Sequence, residues 1–320
     1  MAAAFAMGTF VSRTGRIGLM QCVASFCAGG LFAASASATT YSLIVSGLGG
    51  EPSYEQRFQE QARKMGAAAQ RLNGDDSTSV VLVGSQANLS SLRRELRALA
   101  TRVKSDDQVI VTLIGHGSFD GTQYRFNLPG PDITDAELAT LLDSLKSREV
   151  LIVNATSASG AALEHWKRGD RIVITATKSG GERTATRFGQ YWAEALSGTD
   201  ADTNKNDVVT AAEAFDYASR KVAESFKSDA LLATEHARLE GAGGDRFEVA
   251  RLGTAARVTT DPQLNELYAQ RVRIERELDS VKERKASLNT DVYYDELEGV
   301  LVKLATLQRD IDAQQPADLP

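Results

Sequence analysis

Three hydroxyls and one imidazole carry the chemistry this sequence offers. His116 follows Val109-Ile110-Val111-Thr112-Leu113-Ile114 and is flanked by Gly115 and Gly117. Thr156, Ser157 and Ser159 follow a second apolar run, Val150-Leu151-Ile152-Val153, through Asn154-Ala155. Runs of this length are too short for a membrane span and read as strands buried on both faces of a sheet. An imidazole beside a hydroxyl is the pairing that nucleophilic attack requires, because the hydroxyl must give its proton to a base as it attacks. Backbone N–H groups at Gly117 and around Ser157 would then hold the developing oxyanion. The competing reading of the same residues is structural. His116 can be a turn histidine bonded to backbone, and the hydroxyls can cap the helix that follows them.

Whether these groups meet depends on the elements that carry them. Between the two runs there is room for one helix, opened by Thr134-Asp135-Ala136-Glu137 in the form of a capping box. The two strands are therefore expected to be parallel neighbours. Their tips would face one crevice at the carboxyl edge, where open α/β sheets place their ligands. Strand patterns also fall at 41–45, 79–83 and 171–177, and helical spacing at 54–72, 89–103, 161–166, 183–196 and 211–226. Asn73-Gly74-Asp75-Asp76 breaks the first helix. This alternation predicts an α/β fold, a doubly wound, mostly parallel sheet with helices on both faces, over residues 39–255.

Two loops are expected to line the crevice. One is the Ser46-Gly47-Leu48-Gly49-Gly50 turn; the other spans 118–132 and contains Gly121, Pro129, Gly130 and Pro131. Gly47, Gly49, Ser118, Asp120 and Ser159 are the candidate ligand-contacting positions. The glycine turn lacks both the G-x-G-x-x-G spacing and a P-loop lysine, so it reads as a close-approach turn at the sheet edge.

Composition narrows the classes. Arg13 and Arg16 precede an uncharged run from Ile17 to Ala38 that ends Ala36-Ser37-Ala38, the pattern of an export signal over residues 1–38. An uncleaved anchor is the competing reading, since the run is long enough to span. Cleavage predicts a periplasmic or extracellular protein with no membrane span. Both cysteines, Cys22 and Cys27, lie inside that segment, which leaves the mature chain without thiol, disulfide or cysteine metal ligand. Removing Arg13 and Arg16 takes the net charge from −6 to −8. An acidic chain with no basic stripe argues against nucleic acid as a partner. The histidines, His116, His165 and His236, are scattered and form no zinc pattern.

Asp202-Thr203-Asn204-Lys205-Asn206-Asp207-Val208-Val209-Thr210-Ala211-Ala212-Glu213 fits a calcium-loop register. Oxygen side chains fall at the first, third, fifth, ninth and twelfth places: Asp202, Asn204, Asn206, Thr210 and Glu213. The sixth place, normally glycine, is Asp207. The alternative is a plain helix entry in which Thr210 caps and Glu213 sits at the third helical position. Beyond calcium no cofactor is indicated. From 261 to 313 glycine nearly vanishes, and Leu264, Leu267, Ile274, Leu278, Val281 and Leu288 keep heptad spacing, interrupted by Arg271 and Lys285. Asn289-Thr290-Asp291 breaks it, and Leu297, Val300, Leu304, Leu307 and Ile311 resume it. This predicts an antiparallel helical hairpin that packs on its own domain or on a second copy, followed by a frayed tail over 314–320.

A strand ending Ile114-Gly115-His116-Gly117, a helix, and a strand leading into Ala158-Ser159-Gly160 together resemble the legumain and caspase type of cysteine peptidase. The likeness spans about residues 41 to 240. It implies that family's fold, a histidine role for His116, and the nucleophile position at Ser157, or at Thr156 when counted forward from Asn154-Ala155. A hydroxyl thus stands where the family carries a thiolate, which is reactive near neutral pH with little help from a base. Two functions follow as expectations. The first is a non-catalytic binding or assembly protein of the cell envelope, taking a peptide or protein ligand or associating through its hairpin. The second is a peptidase or esterase using Ser157 or Thr156 with His116.

Overall fold

A computed structural model describes residues 39–73, 78–252 and 262–314. The expected export signal with both cysteines, the break at 74–76 and the tail from 315 lie outside the described residues. The elements below belong to one compact unit, Ala38–Pro320.

The sheet is built on β3 (Gln108–Gly115), flanked by β1 (Thr40–Ser46) on one side and β7 (Glu149–Thr156) on the other. Outside these lie β2 (Ser79–Leu82) beyond β1 and β8 (Ile172–Thr175) beyond β7. All four pairings are parallel. A sixth strand, β10 (Arg238–Glu240), closes the β8 edge antiparallel. The class is therefore α/β with a mostly parallel sheet. β3 is buried from Val109 to Gly115, which is why its sequence does not alternate.

Each face of the sheet has its own core. On one face α1 (Pro52–Asn73) lays Phe58, Ala62, Met65, Ala69 and Leu72 against Ile44, Ile114 and Ala155. It is joined there by α5 (Phe188–Ala195) and α6 (Ala211–Ser228). On the other face α2 (Leu89–Arg102) buries Leu89, Leu92, Leu96 and Leu99, the stripe its spacing predicts, and Asn88 caps it by accepting from the Ser91 N–H. Alongside lie α3 (Asp135–Asp143) and α4 (Leu163–Trp166). At the start of α3, Thr134 accepts from the Glu137 N–H, but the Glu137 carboxylate turns to Arg93 instead of closing a full capping box.

Because α1 and α2 cover opposite faces, the strand order β2-β1-β3-β7-β8 reverses direction between β1 and β3. A doubly wound sheet opens its ligand crevice at that point, outside the carboxyl ends of the strands.

Several local expectations are corrected. The segment expected as a loop over 118–132 contains β4 (Gly117–Phe119) and β5 (Tyr124–Phe126), which pair with each other and with β6 (Ile133–Thr134) as a small antiparallel sheet. The helix expected from 183 starts only at Phe188. Residues 176–187 form a loop held by its own polar contacts, described below. A further two-stranded pair, β9 (Val208–Thr210) with β11 (Glu248–Arg251), lies where no strand was expected.

The helical hairpin is present as α7 (Pro262–Glu283) and α8 (Thr290–Gln314). Leu264 and Tyr268 near the start of α7 cluster with Leu307 and Ile311 near the end of α8, while Val281 clusters with Tyr293 and Val300. That pairing makes the two arms antiparallel. Arg271, which interrupts the seam, reaches Asp207 of the main body at 3.8 Å and Glu275 on its own helix at 2.8 Å. Lys285 lies over the Tyr293 ring. No described helix is long and apolar enough to cross a membrane.

Candidate ligand site at the carboxyl edge of the sheet

β3 and β7 are adjacent and in register through Gly115 opposite Thr156. The next residues along each strand, His116 and Ser157, therefore stand opposite one another. Side chains alternate along a strand, and this parity sorts the candidates. Ile114 belongs to the α1 face, so His116, two residues on, does too. Its ring packs edge-on against Tyr54 at 5.1 Å and Phe58 at 5.2 Å, both on α1. Thr156 points the other way. Its Oγ1 lies 2.6 Å from the Tyr124 hydroxyl and donates to Asn154 Oδ1 at 2.8 Å, in a fully buried network on the α2 face. Thr156 is thus a core residue and not an alternative nucleophile beside His116, from which the sheet itself separates it.

Ser157 is 2% exposed. Its hydroxyl donates to the Gly117 carbonyl at 3.1 Å and accepts from the Gly117 N–H at 3.2 Å. The side chain thereby copies a backbone partner and extends the β3–β7 pairing by one rung past the end of the ladder. No hydrogen bond joins it to the His116 ring. Gly117 must be glycine here, since a Cβ would lie 2.5 Å from the Ser157 carbonyl oxygen and 2.7 Å from Thr156 Oγ1. Ala158 then takes a left-handed turn at φ 56°, its N–H donating to the Glu182 carbonyl at 2.7 Å. Ser159, expected to contact a ligand, is fully buried. Its Oγ accepts from the Thr177 N–H at 3.0 Å, fastening the 176–187 loop.

His116 is half-buried. Burial pushes its pKa down and the nearby Arg57 guanidinium adds to this, while the Gly49 backbone and Glu51 pull the other way. The ring thus lies beside the Gly47–Gly50 turn. That turn is tightly seated. The Gly47 N–H donates to the Ile114 carbonyl at 2.8 Å, Leu48 N–H to the Asn127 carbonyl at 2.9 Å, and a Cβ on Gly49 would meet the Glu55 backbone at 2.4 Å. Asp120 does not orient His116. It accepts from Arg125 and from the N–H groups of Thr122 and Gln123, which together hold its carboxyl well below the usual range. Ser118 is exposed on the short β4.

Arg57 is a residue that sequence reasoning missed. It sits one turn into α1 with its guanidinium 4.6 Å from the Tyr54 ring centre and 5.3 Å from that of Phe58. Its Nε and Nη2 are buried without a hydrogen-bond partner. Nearby polar atoms are also unsatisfied: Ser46 Oγ at the tip of β1, and Asn127 Oδ1 on the segment that seats the glycine turn. A buried donor left unpaired costs roughly 1–3 kcal/mol, more when it is charged. Ser46, Arg57 and Asn127 thus fall toward the β1–β3 end of the edge, one strand away from the β3–β7 crevice that the sequence motifs single out, while Ser79 Oγ on β2 and Ser219 Oγ on α6 are orphaned elsewhere. The signal that could have found them is topological, namely the strand order. A cavity of about 440 Å³ lies elsewhere, beside Asp202, Tyr217 and Arg220.

The calcium-like loop is occupied by its own backbone. Asp202 accepts from the N–H groups of Asn206 and Asp207, Asn204 from Asn206, and Asn206 from Val208. Thr210 and Glu213 form a full capping box on α6, and Glu213 Oε1 also accepts from Thr203. Among the described residues no cluster of three or more His, Cys, Asp or Glu is placed to hold a metal. Asp207 takes φ 61° where a calcium loop has its glycine. Comparison with known proteins gives no match, either to a family model or to a curated sequence.

Proposed function

We propose that this chain is an exported, non-catalytic module of legumain or caspase type that binds a peptide or protein ligand of acidic character along the carboxyl edge of its sheet. The observation that carries this reading is the state of Ser157: buried, with its hydroxyl both donating to and accepting from Gly117. A nucleophile needs a base on its proton, and here that proton is donated to the Gly117 carbonyl. The ligand class is supported by Arg57, whose charge lies beside His116 at the point where the sheet reverses its winding.

The alternative, a hydrolase using Ser157 with His116, draws its support from the strand register, which sets the two residues opposite one another at adjacent strand tips. A fluorophosphonate probe on the purified mature protein separates the two. The binding reading expects no stoichiometric label. Labelling that disappears in Ser157→Ala overturns it.

A further inference from the structure

The segment between α6 and β10, residues 229–237, runs back to the carboxyl edge, since Arg238 at the start of β10 pairs with Thr175 at the end of β8. It is fastened at its two ends, with residues 230–234 exposed between them. At its foot Asp229 accepts from the Arg187 guanidinium at 2.6 Å. Near its far end Glu235, 5% exposed, accepts from the backbone N–H groups of Arg187 and Phe188, each at 2.8 Å, at the entrance to α5. At its end the His236 N–H donates to Glu182 Oε2 at 3.2 Å, and the His236 ring bonds the other oxygen of the same carboxylate. Glu182 in turn holds the Ala158 N–H through its own carbonyl at 2.7 Å. One line of hydrogen bonds thus links the segment to the left-handed turn immediately after Ser157.

We propose that residues 229–237 form a pH-responsive strap, fastened at mildly acidic pH and loosened above neutrality, that controls the mobility of the Ser157 turn. This stands on the strap's own contacts and does not require the binding reading. Glu235 is a carboxylate packed away from water between the strap and α5. The charged groups facing it are Arg187 at the α5 entrance and Glu182 on the preceding loop, with His236 and Lys178 reached through Glu182. Burial pushes its carboxyl up to about 7, against the pull of the two amide donors and of Arg187, with Glu182 adding to the rise. Once the strap opens, the group is hydrated and ionises in the ordinary carboxylate range. The form with the higher pKa is favoured at low pH, so opening becomes easier as pH rises. The Glu182 carboxyl does not share this sense. Burial draws it up, but His236 and Lys178 hold it below its ordinary value, so its contribution is lost only as pH falls below the ordinary carboxylate range.

The test is amide hydrogen exchange on the full mature chain, each rate divided by its intrinsic rate. Protection of the Ala158, Arg187 and Phe188 amides is expected to fall about tenfold between pH 6 and 8.5, while core amides such as Val111 and Ile152 keep theirs. Glu235→Gln is expected to flatten that pH dependence. The proposal is overturned if strap amides show no fall, if core amides fall in parallel, or if the dependence survives in Glu235→Gln. Should that variant fail to fold, titration of an isotope-labelled Glu235 carboxyl in the wild-type chain decides: a midpoint near 7 supports the strap, and one in the ordinary carboxylate range overturns it.

Discussion

The Ser157 hydroxyl and the Gly117 backbone form a reciprocal pair, one bond at 3.1 Å and one at 3.2 Å, at the point where the β3–β7 ladder ends. The hydroxyl serves as the last rung of a sheet. Ser157→Ala is therefore expected to destabilise the fold by about 1–2 kcal/mol, because it leaves a Gly117 N–H and C=O partly unsatisfied. Urea denaturation measures it directly. An unchanged midpoint would show that the pair contributes nothing and that the hydroxyl is free for other work.

Thr156, its neighbour, carries a larger structural share. Tyr124, Asn154 and Thr156 are all fully buried and share the Thr156 hydroxyl. Thr156→Val keeps the shape and takes one buried partner from each of the other two groups, which still bond each other, and should cost about 1–3 kcal/mol. Thermal unfolding of this variant beside Ser157→Ala tests the ranking. The idea fails if Thr156→Val is the milder of the two.

How far the sequence could be read follows from these two residues. Buried strands, helix stripes and the hairpin were legible because burial imposes a period, as Leu92, Leu96 and Leu99 show on α2. Adjacency of β3 and β7 was legible from the single helix between them. The faces of Thr156 and Ser157 were not, because motif counting gives a position and only register gives a side. The short strands β4 and β5 were hidden among Gly121, Pro129 and Gly130, whose turn chemistry reads as loop. The delayed start of α5 comes from a carboxylate 47 residues away in sequence, Glu235 on the Phe188 N–H, and no local pattern records it. Arg57 went unnoticed because it interrupts no motif; its isolation appears only once its neighbours are placed.

His116 supplies a pH prediction opposite in sign to that of Glu235. Burial, helped by Arg57, depresses its pKa below the ordinary 6.5. A depressed value means the stability contribution is present above the unfolded value and lost as pH falls through the folded one. Stability of the wild-type chain relative to His116→Leu should accordingly decline as pH falls below 6.5. Denaturation midpoints of the pair at pH 7.5 and 5 measure this, and parallel curves would remove His116 from a buried, neutral role.

Arg57 predicts ligand sign. With its Nε and Nη2 unpaired beside His116, the edge is expected to favour carboxylate-rich segments. A glutamate-rich decapeptide should bind the protein more tightly than its lysine-rich counterpart. Arg57→Gln should weaken that binding on the order of tenfold, a loss in the range of one charged hydrogen bond. Calorimetric titration gives both numbers. Equal affinity for the two peptides, or no effect of Arg57→Gln, removes the acidic-ligand reading while leaving the Ser157–Gly117 pairing untouched.

The 202–213 loop offers a choice between metal and cap that stability measurements can make. Glu213 Oε2 accepts from the Thr210 N–H and hydroxyl at 3.0 Å each, and Oε1 from the Thr203 hydroxyl at 2.8 Å. A carboxylate engaged this way has no lone pairs arranged for bidentate metal binding unless both hydroxyls let go. The loop's Asp207 also faces Arg271 of the hairpin, which brings a positive charge to the place a cation would otherwise neutralise. As a cap, Thr210→Ala should cost about 1 kcal/mol, equally in calcium and in chelator. As a metal site, millimolar calcium should raise the unfolding temperature and Glu213→Gln should abolish the rise. The geometry favours the first outcome, and a calcium-dependent shift lost in Glu213→Gln would reverse that assignment.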